Sequence, residues 1–145
     1  MSLAVRARML EAASLETLDH VWSGEVPTPA DAWRLIIAGG VTPTAAVPMS
    51  EGGEYLEQVE VLWRAIAEQH GLFGSDGEFL VSVAGAETGD LPWARVKMGM
   101  QSSMARHLVQ HPGEPEFVAM STDGRVVCGA TTEEYDVWIV CRIFT

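Results

Sequence analysis

The sequence lacks any apolar run near the roughly 18 residues of a membrane span, and its N-terminus has no continuous apolar segment of the signal-peptide type. These absences predict a cytoplasmic protein without membrane contact. Of the 145 residues, 48% are hydrophobic and 20% are charged, the balance of an ordered globular chain. The length suits one domain with its own hydrophobic core, so we expect residues 1–145 to fold as one unit.

Basic residues are scarce in this chain. Lys and Arg number 9 against 20 Asp and Glu, for a formal net charge of −11. Such a charge opposes nucleic-acid binding, which depends on neutralising phosphates with cations. It favours a protein partner, with basic proteins as the natural target, because opposite fields accelerate encounter. The alternative is that the acidity serves only solubility, as in many bacterial cytosolic proteins.

The chain contains only two cysteines, Cys128 and Cys141, on two strands that we predict to be neighbours. In a simple hairpin closed by residues 131–134, Cys141 lies opposite residues near 124. That position is about three to four residues from Cys128, whereas a disulfide needs Cα atoms within about 7 Å. We therefore expect two free, buried thiols.

No motif in the sequence identifies a chemistry. His107 and His111 have the i, i+4 spacing of a metal-binding helix, but no Glu follows the first, as a metalloprotease requires, and Pro112 ends the helix. Ser102-Ser103 lacks the Gly-x-Ser-x-Gly frame of a nucleophile elbow. We expect no metal and no other cofactor, and catalysis stays an open question.

Hydrophobic periodicity separates a helical first half from a strand-rich second half. Spacings of three and four predict helices, and alternation predicts strands. The predicted fold is α+β, with N-terminal helices on a mostly antiparallel sheet of about five strands, in the order α-α-α-β-β-α-β-β-β. Residues 41–49 are predicted to be an ordered loop. The predicted helices are 2–13 and 14–22 (as one bent helix), 28–39, 50–70 and 101–110, and the predicted strands are 78–85, 93–98 and three segments within 116–144.

A β-meander is predicted at the C-terminus. Asp123-Gly124 accepts the positive φ angles of a type I′ turn, which pairs Met120 with Val127. Apolar pairs on both faces near the turn indicate a hairpin that is covered on both sides. In the last strand, over 135–144, one set of alternate residues forms a core face, and the other set mixes aromatic and charged side chains.

The element order and length resemble the cone-shaped nuclear transport factor 2-like fold. At the same coarse level they resemble several bacterial immunity-protein folds. The first resemblance implies a small-molecule pocket between sheet and helices. The second implies a protein that binds another protein.

Residues 91–113 contain no Asp or Glu, although these account for 20 of the 145 residues. Within this stretch Trp93, Arg95 and Lys97 share one face of a predicted strand. A basic, aromatic patch of this kind suits an anionic or aromatic group. The alternative is that its cations pair with glutamates of the 50–70 helix. The candidate binding residues are Trp93, Arg95, Lys97, Arg106, His107, Asp136 and Trp138.

Two functions follow as hypotheses, and a structural subunit of a larger assembly remains as a further alternative. The first is a non-catalytic binding protein of the immunity, inhibitor or adaptor type, which engages a protein such as a basic nuclease through Glu54, Glu57 and Glu60 on one helix face. The second is a small-molecule enzyme or carrier with a pocket between the sheet and the helices. The lining residues of that pocket would be Trp93, Arg95, His107, Asp136 and Trp138.

Overall fold

The computed structural model describes residues 2–84 and 91–144 of the chain. Seven strands form one antiparallel sheet in the order β1-β4-β3-β7-β8-β9-β2, and β5 and β6 form a separate hairpin. The predicted α+β class and antiparallel pairing are confirmed, whereas the predicted number and order of strands are wrong. The elements are α1 (Leu3–Ala12), β1 (Glu16–Trp22), α2 (Pro29–Ile37), β2 (Ala45–Pro48), α3 (Tyr55–Gln69), β3 (Glu78–Val83), β4 (Trp93–Lys97), α4 (Met104–His107), β5 (Val109–His111), β6 (Glu114–Pro115), β7 (Phe117–Met120), β8 (Val126–Thr132) and β9 (Asp136–Ile143).

Helices cover both faces of the large sheet. On one face lie α1, α3 and α4, and there Trp63 of α3 packs against Phe79 and Phe117, with ring centroids 6.1 and 5.4 Å away. On the other face lies α2, whose Trp33 and Ile36 pack on strands from the middle of the sheet. The sheet is therefore the middle of three layers, and burying both of its faces accounts for the nearly continuous apolar strands β3, β7 and β8.

The predicted helix over 14–22 is wrong, because residues Glu16–Trp22 form the edge strand β1. Ser14 has a φ of 60°, a left-handed conformation that stops α1 from continuing. Leu18 and Val21 fit a helical spacing by coincidence. Two register shifts against β4 break the regular alternation by which a strand is recognised.

The predicted loop over 41–49 contains the short strand β2, which pairs with the first half of β9. Proline lacks the N–H that a ladder needs, so Pro48 suits the edge position that β2 occupies. Directly before β2, the Thr44 hydroxyl oxygen accepts a hydrogen bond from the Cys141 N–H at 2.9 Å. The last strand, β9, is therefore not an edge of the sheet.

Two predicted helices are shorter in the structure. The helix predicted from 50 begins at Tyr55, because Gly52 and Gly53 adopt φ angles of 93° and 75° that a helix excludes. The helix predicted over 101–110 is only α4, and the chain then continues into β5 and turns at Gly113 into β6. None of the helices in residues 2–84 and 91–144 combines the length and apolarity that a bilayer crossing requires.

The register of the β7–β8 hairpin is confirmed, with Met120 opposite Val127. The predicted type I′ turn is wrong, because φ is positive at Gly124 (77°) but not at Asp123. The Gly124 N–H donates to the Ser121 carbonyl at 2.9 Å, so the turn closes one residue earlier than predicted. Both faces of this hairpin are buried, as the sequence pattern indicated.

The register of the β8–β9 hairpin differs from the prediction. Thr132 pairs with Val137, so residues 133–135 form the connection between β8 and β9, and Cys128 lies directly opposite Cys141. Thr132 stays in the strand because its N–H donates to the Glu116 carboxylate and its hydroxyl donates to a backbone carbonyl, both at 2.8 Å. The prediction that both thiols are free and buried is confirmed.

Candidate functional site

Arg95 and Lys97 lie on the α2 side of the sheet, where carboxylates of neighbouring strands surround them. Arg95 Nε lies 2.7 Å from Asp19 Oδ2, and Arg95 Nη1 lies 2.8 Å from Glu78 Oε1. Lys97 stands opposite Glu16 on β1 and Glu78 on β3. The partners of Arg95 are thus on strands and not on α3, where the sequence alternative placed them. These carboxylates neutralise the positive charge of this strand face.

Trp93 lies on β4 and Trp138 on β9, and three strands lie between them in the sheet. Four strand spacings of about 4.8 Å place β4 and β9 roughly 19 Å apart. Trp93 is 3% exposed, and its Nε1 donates to the Pro27 carbonyl at 2.9 Å beside a cleft of about 290 Å³. Trp138 lines another cleft, of about 210 Å³, next to Ile37 and Glu133. The two tryptophans therefore do not line one pocket.

The other predicted binding residues are also dispersed. Arg106 and His107 are exposed on α4, which packs on the face of the sheet opposite Arg95. Asp136 begins β9, where it pairs with Pro48 of the edge strand β2. The structure thus divides the predicted patch between both faces of the sheet and between two strands, β4 and β9, that lie near opposite edges.

The outward side of α3 carries apolar side chains among carboxylates. Val61 is 60% exposed and Leu62 39% exposed, and Met100, in the loop after β4, is 95% exposed. A cleft of about 360 Å³ separates α3 from this loop. Exposed apolar groups that cluster within a polar rim are typical of interaction surfaces. We call this surface the α3 acidic face, and its residues are Glu54, Glu57, Val61, Leu62, Ala65, Glu68 and Met100.

Glu60 was predicted to belong to the partner face, but its carboxylate is bonded within the protein and is not available to a partner. Its Oε1 accepts a hydrogen bond from the Ala105 N–H at 2.8 Å, in the first turn of α4. Its Oε2 lies 3.4 Å from Arg64 Nη2, which also donates to the Ser102 carbonyl at 2.9 Å. These bonds connect α3 to the loop that carries Met100. The i, i+4 spacing of Glu60 and Arg64 is a sequence signal for this pair.

Arg6 is a buried charge that the sequence interpretation missed. It is 2% exposed, and its Nη1 and Nη2 donate to the carbonyls of Pro92 and His20 at 2.6 and 2.5 Å. Burial lowers the pKa of the guanidinium. Arg6 thereby holds α1 against the ends of β1 and β4. The sequence contained a signal for this position, because Arg6 has a helical spacing from the buried Leu10 and Ala13 and so lies on the inner face of α1.

Glu116 has a perturbed acidity that the sequence did not reveal. Partial burial raises the pKa of its carboxyl to about 7, and repulsion from Glu133 and Glu114 acts in the same direction. The hydrogen bond from the Thr132 N–H opposes this shift. The carboxyl therefore titrates near neutral pH at the junction of β6, β7 and β8.

Comparison of the chain with protein-family models, with curated proteins and with solved structures finds no match. Within residues 2–84 and 91–144, no group of three or more His, Cys, Asp or Glu side chains is arranged to hold a metal ion. The features that remain to suggest a function are therefore those of the structure itself. They are a three-layer helix–sheet–helix arrangement and the α3 acidic face, in which glutamates lie beside exposed apolar side chains.

Proposed function

We propose that this protein is a small acidic binding protein, of the immunity, inhibitor or adaptor type, that engages a basic protein partner without catalysing a reaction. The α3 acidic face would form the contact. The observation that carries the proposal is the joint exposure of Val61 and Met100 at a cleft that Glu57 and Glu68 also line. An apolar centre with a polar rim is the usual anatomy of a protein interface.

The charge of this surface supports a basic partner. Glu54, Glu57 and Glu68 make no ion pair with a cation of residues 2–84 or 91–144, so their charges remain available. The whole chain adds a net charge of −11. Such a field raises the association rate with a cationic protein, and salt screens it over about 10 Å at 0.1 M.

The packing beneath α3 favours surface binding over the alternative of an enzyme or carrier. Trp63, Phe73, Phe79 and Phe117 contact one another between α3 and the sheet, with ring centroids 5.4 to 6.1 Å apart. A small-molecule pocket between sheet and helices would need open volume in this region. The aromatic side chains occupy it instead.

A charge-neutralising variant of the α3 acidic face tests the proposal. Glu60 is left unchanged because it supports α4. The control variant removes the same number of charges from exposed positions away from α3. The test variant is Glu54→Gln, Glu57→Gln and Glu68→Gln, and the control is Glu25→Gln, Glu133→Gln and Glu134→Gln.

The immobilised wild-type chain is used to capture its partner from host lysate, and the purified partner is then measured against both variants. We expect the test variant to lower the association rate about tenfold at low salt, and the control to lower it less than about twofold. Val61→Ser should mainly raise the dissociation rate, because it removes part of the apolar centre. Equal effects of the test and control variants would reject the α3 acidic face, and an acidic partner would reject the charge argument.

A further inference from the structure

We propose that Cys128 and Cys141 are a reversible redox modification site, at which a hydroperoxide converts the two thiols into a disulfide that joins β8 to β9. This site is separate from the α3 acidic face and does not depend on the proposed function.

The backbone places the two cysteines at a position that accepts a disulfide. They lie directly opposite each other in the β8–β9 pairing. The Phe144 N–H donates to the Arg125 carbonyl at 2.8 Å, which makes that pair hydrogen-bonded. Because hydrogen-bonded and non-hydrogen-bonded pairs alternate, Cys128 and Cys141 form a non-hydrogen-bonded pair. Cα atoms in such pairs are about 4.5 Å apart, within the range of about 4.4 to 6.8 Å that disulfides need.

The two thiols are close, and their backbones are held in place. Both side chains belong to the core on the α3 side of the sheet. Trp63 Nε1 donates to the Cys128 carbonyl at 3.0 Å, and the Cys141 N–H donates to Thr44 Oγ1 at 2.9 Å. An S–S bond therefore requires little movement of either strand.

Exposure and charge assign different roles to the two sulfurs. Cys141 is 8% exposed, whereas Cys128 is fully buried. The neighbouring Cys128 thiol lowers the pKa of the Cys141 thiol, and the nearby His70 and Arg142 lower it further, against the effect of burial. The neighbouring Cys141 thiol and burial raise the pKa of the Cys128 thiol. Because the thiolate is the nucleophile, Cys141 reacts first and Cys128 resolves the product.

The chemistry takes two steps. The Cys141 thiolate attacks one oxygen of the hydroperoxide, so that an S–O bond forms and the O–O bond breaks. The leaving oxygen takes up a proton to give water or an alcohol, and the sulfur is oxidised to a sulfenic acid. The Cys128 sulfur then attacks the Cys141 sulfur, the S–O bond breaks, and hydroxide leaves with the Cys128 proton as water. A dithiol reductant restores both thiols.

The test uses the full native chain and hydrogen peroxide at neutral pH. After the reaction the protein is unfolded, alkylated with iodoacetamide and weighed by mass spectrometry. We expect a loss of about 2 Da, no alkylation, and a linked peptide pair containing both cysteines, with full reversal by dithiothreitol. The disulfide should also raise Tm by about 5 °C, because it closes the β8–β9 loop.

Two variants separate the roles of the sulfurs. Cys128→Ser should accumulate a sulfenic acid at Cys141 that dimedone traps, whereas Cys141→Ser should leave Cys128 unmodified. The wild-type result decides the proposal even where a variant folds poorly. A gain of about 16 or 32 Da at Cys141 without a linked pair would overturn it. So would two thiols that remain fully alkylatable after peroxide treatment.

Discussion

Replacing Glu116 by Gln should remove a pH dependence of folding stability. In the native protein, burial raises the pKa of this carboxyl from 4.5 to about 7. Between these two pH values the native state binds the proton more tightly than the unfolded chain does. The stabilisation is therefore complete below about pH 4.5 and is lost as pH rises to about 7, above which the contribution is constant.

The size of the effect follows from the two pKa values. A difference of about 2.5 pH units, at about 1.36 kcal/mol per unit, sets an upper limit of about 3.4 kcal/mol. Glu116 is only partly buried, so solvent screening reduces the expected value to about 1–2 kcal/mol. The Gln side chain retains an oxygen that can accept the hydrogen bond from the Thr132 N–H. Between pH 5 and pH 8, the free energy of unfolding of wild type should therefore fall by about 1–2 kcal/mol more than that of Glu116→Gln.

Urea unfolding at pH 5, 6, 7 and 8, followed by tryptophan fluorescence, measures this difference. The control is Glu134→Gln, which removes one exposed acid and should keep the wild-type profile. Parallel profiles for wild type and Glu116→Gln would refute the argument that burial of this carboxyl controls its acidity. A difference that grows above pH 8 would refute the assigned pKa.

Two further predictions concern the supports of the sheet. Arg6→Leu should lower the free energy of unfolding by about 2–4 kcal/mol, because it removes the donor of two partly buried carbonyls, whereas the exposed Arg8→Leu should change it by under about 0.5 kcal/mol in the same urea assay. Gly129→Ala should cost about 1–3 kcal/mol, because its Cβ would collide with Ile36 Cδ1 and lie 3.0 Å from the Phe117 carbonyl oxygen. In an Ile36→Val background this cost should fall by about 1 kcal/mol, and strict additivity of the two changes would contradict the collision.

Local patterns identified the elements that carry a strong period. The stripe that includes Val59 and Trp63 predicted α3, and the apolar strands around Gly124 predicted the β7–β8 register. The two edge strands were missed because a half-exposed, bulged or proline-bounded strand has no regular alternation. The β8–β9 register was missed because Thr132 is held in the strand by Glu116, a contact distant in sequence.

The candidate binding residues show the same limit. Absence of acids in residues 91–113 suggested a basic patch, but the carboxylates that meet Arg95 come from β1 and β3. Likewise Trp93 and Trp138 each share a predicted strand face with charged residues, but their strands lie four strand spacings apart in the sheet. The acidic side of α3 was predicted from its glutamates, whereas the position of the exposed Met100 beside it was not, because the loop that carries Met100 contacts α3 through the hydrogen bond from Arg64 to the Ser102 carbonyl.

By itself, the sequence determined the α+β class, the charge of −11, the main amphipathic helix and the central hairpin, because these depend on composition and on local periodicity. The tertiary structure decided which strands become neighbours, since strand order and register arise from contacts between distant segments. It alone placed Cys128 against Cys141, buried Arg6 of α1 against the sheet, and brought Met100 to the glutamates of α3. Each of these sites joins residues far apart in the chain, and their distance in space is set by packing of the whole sheet.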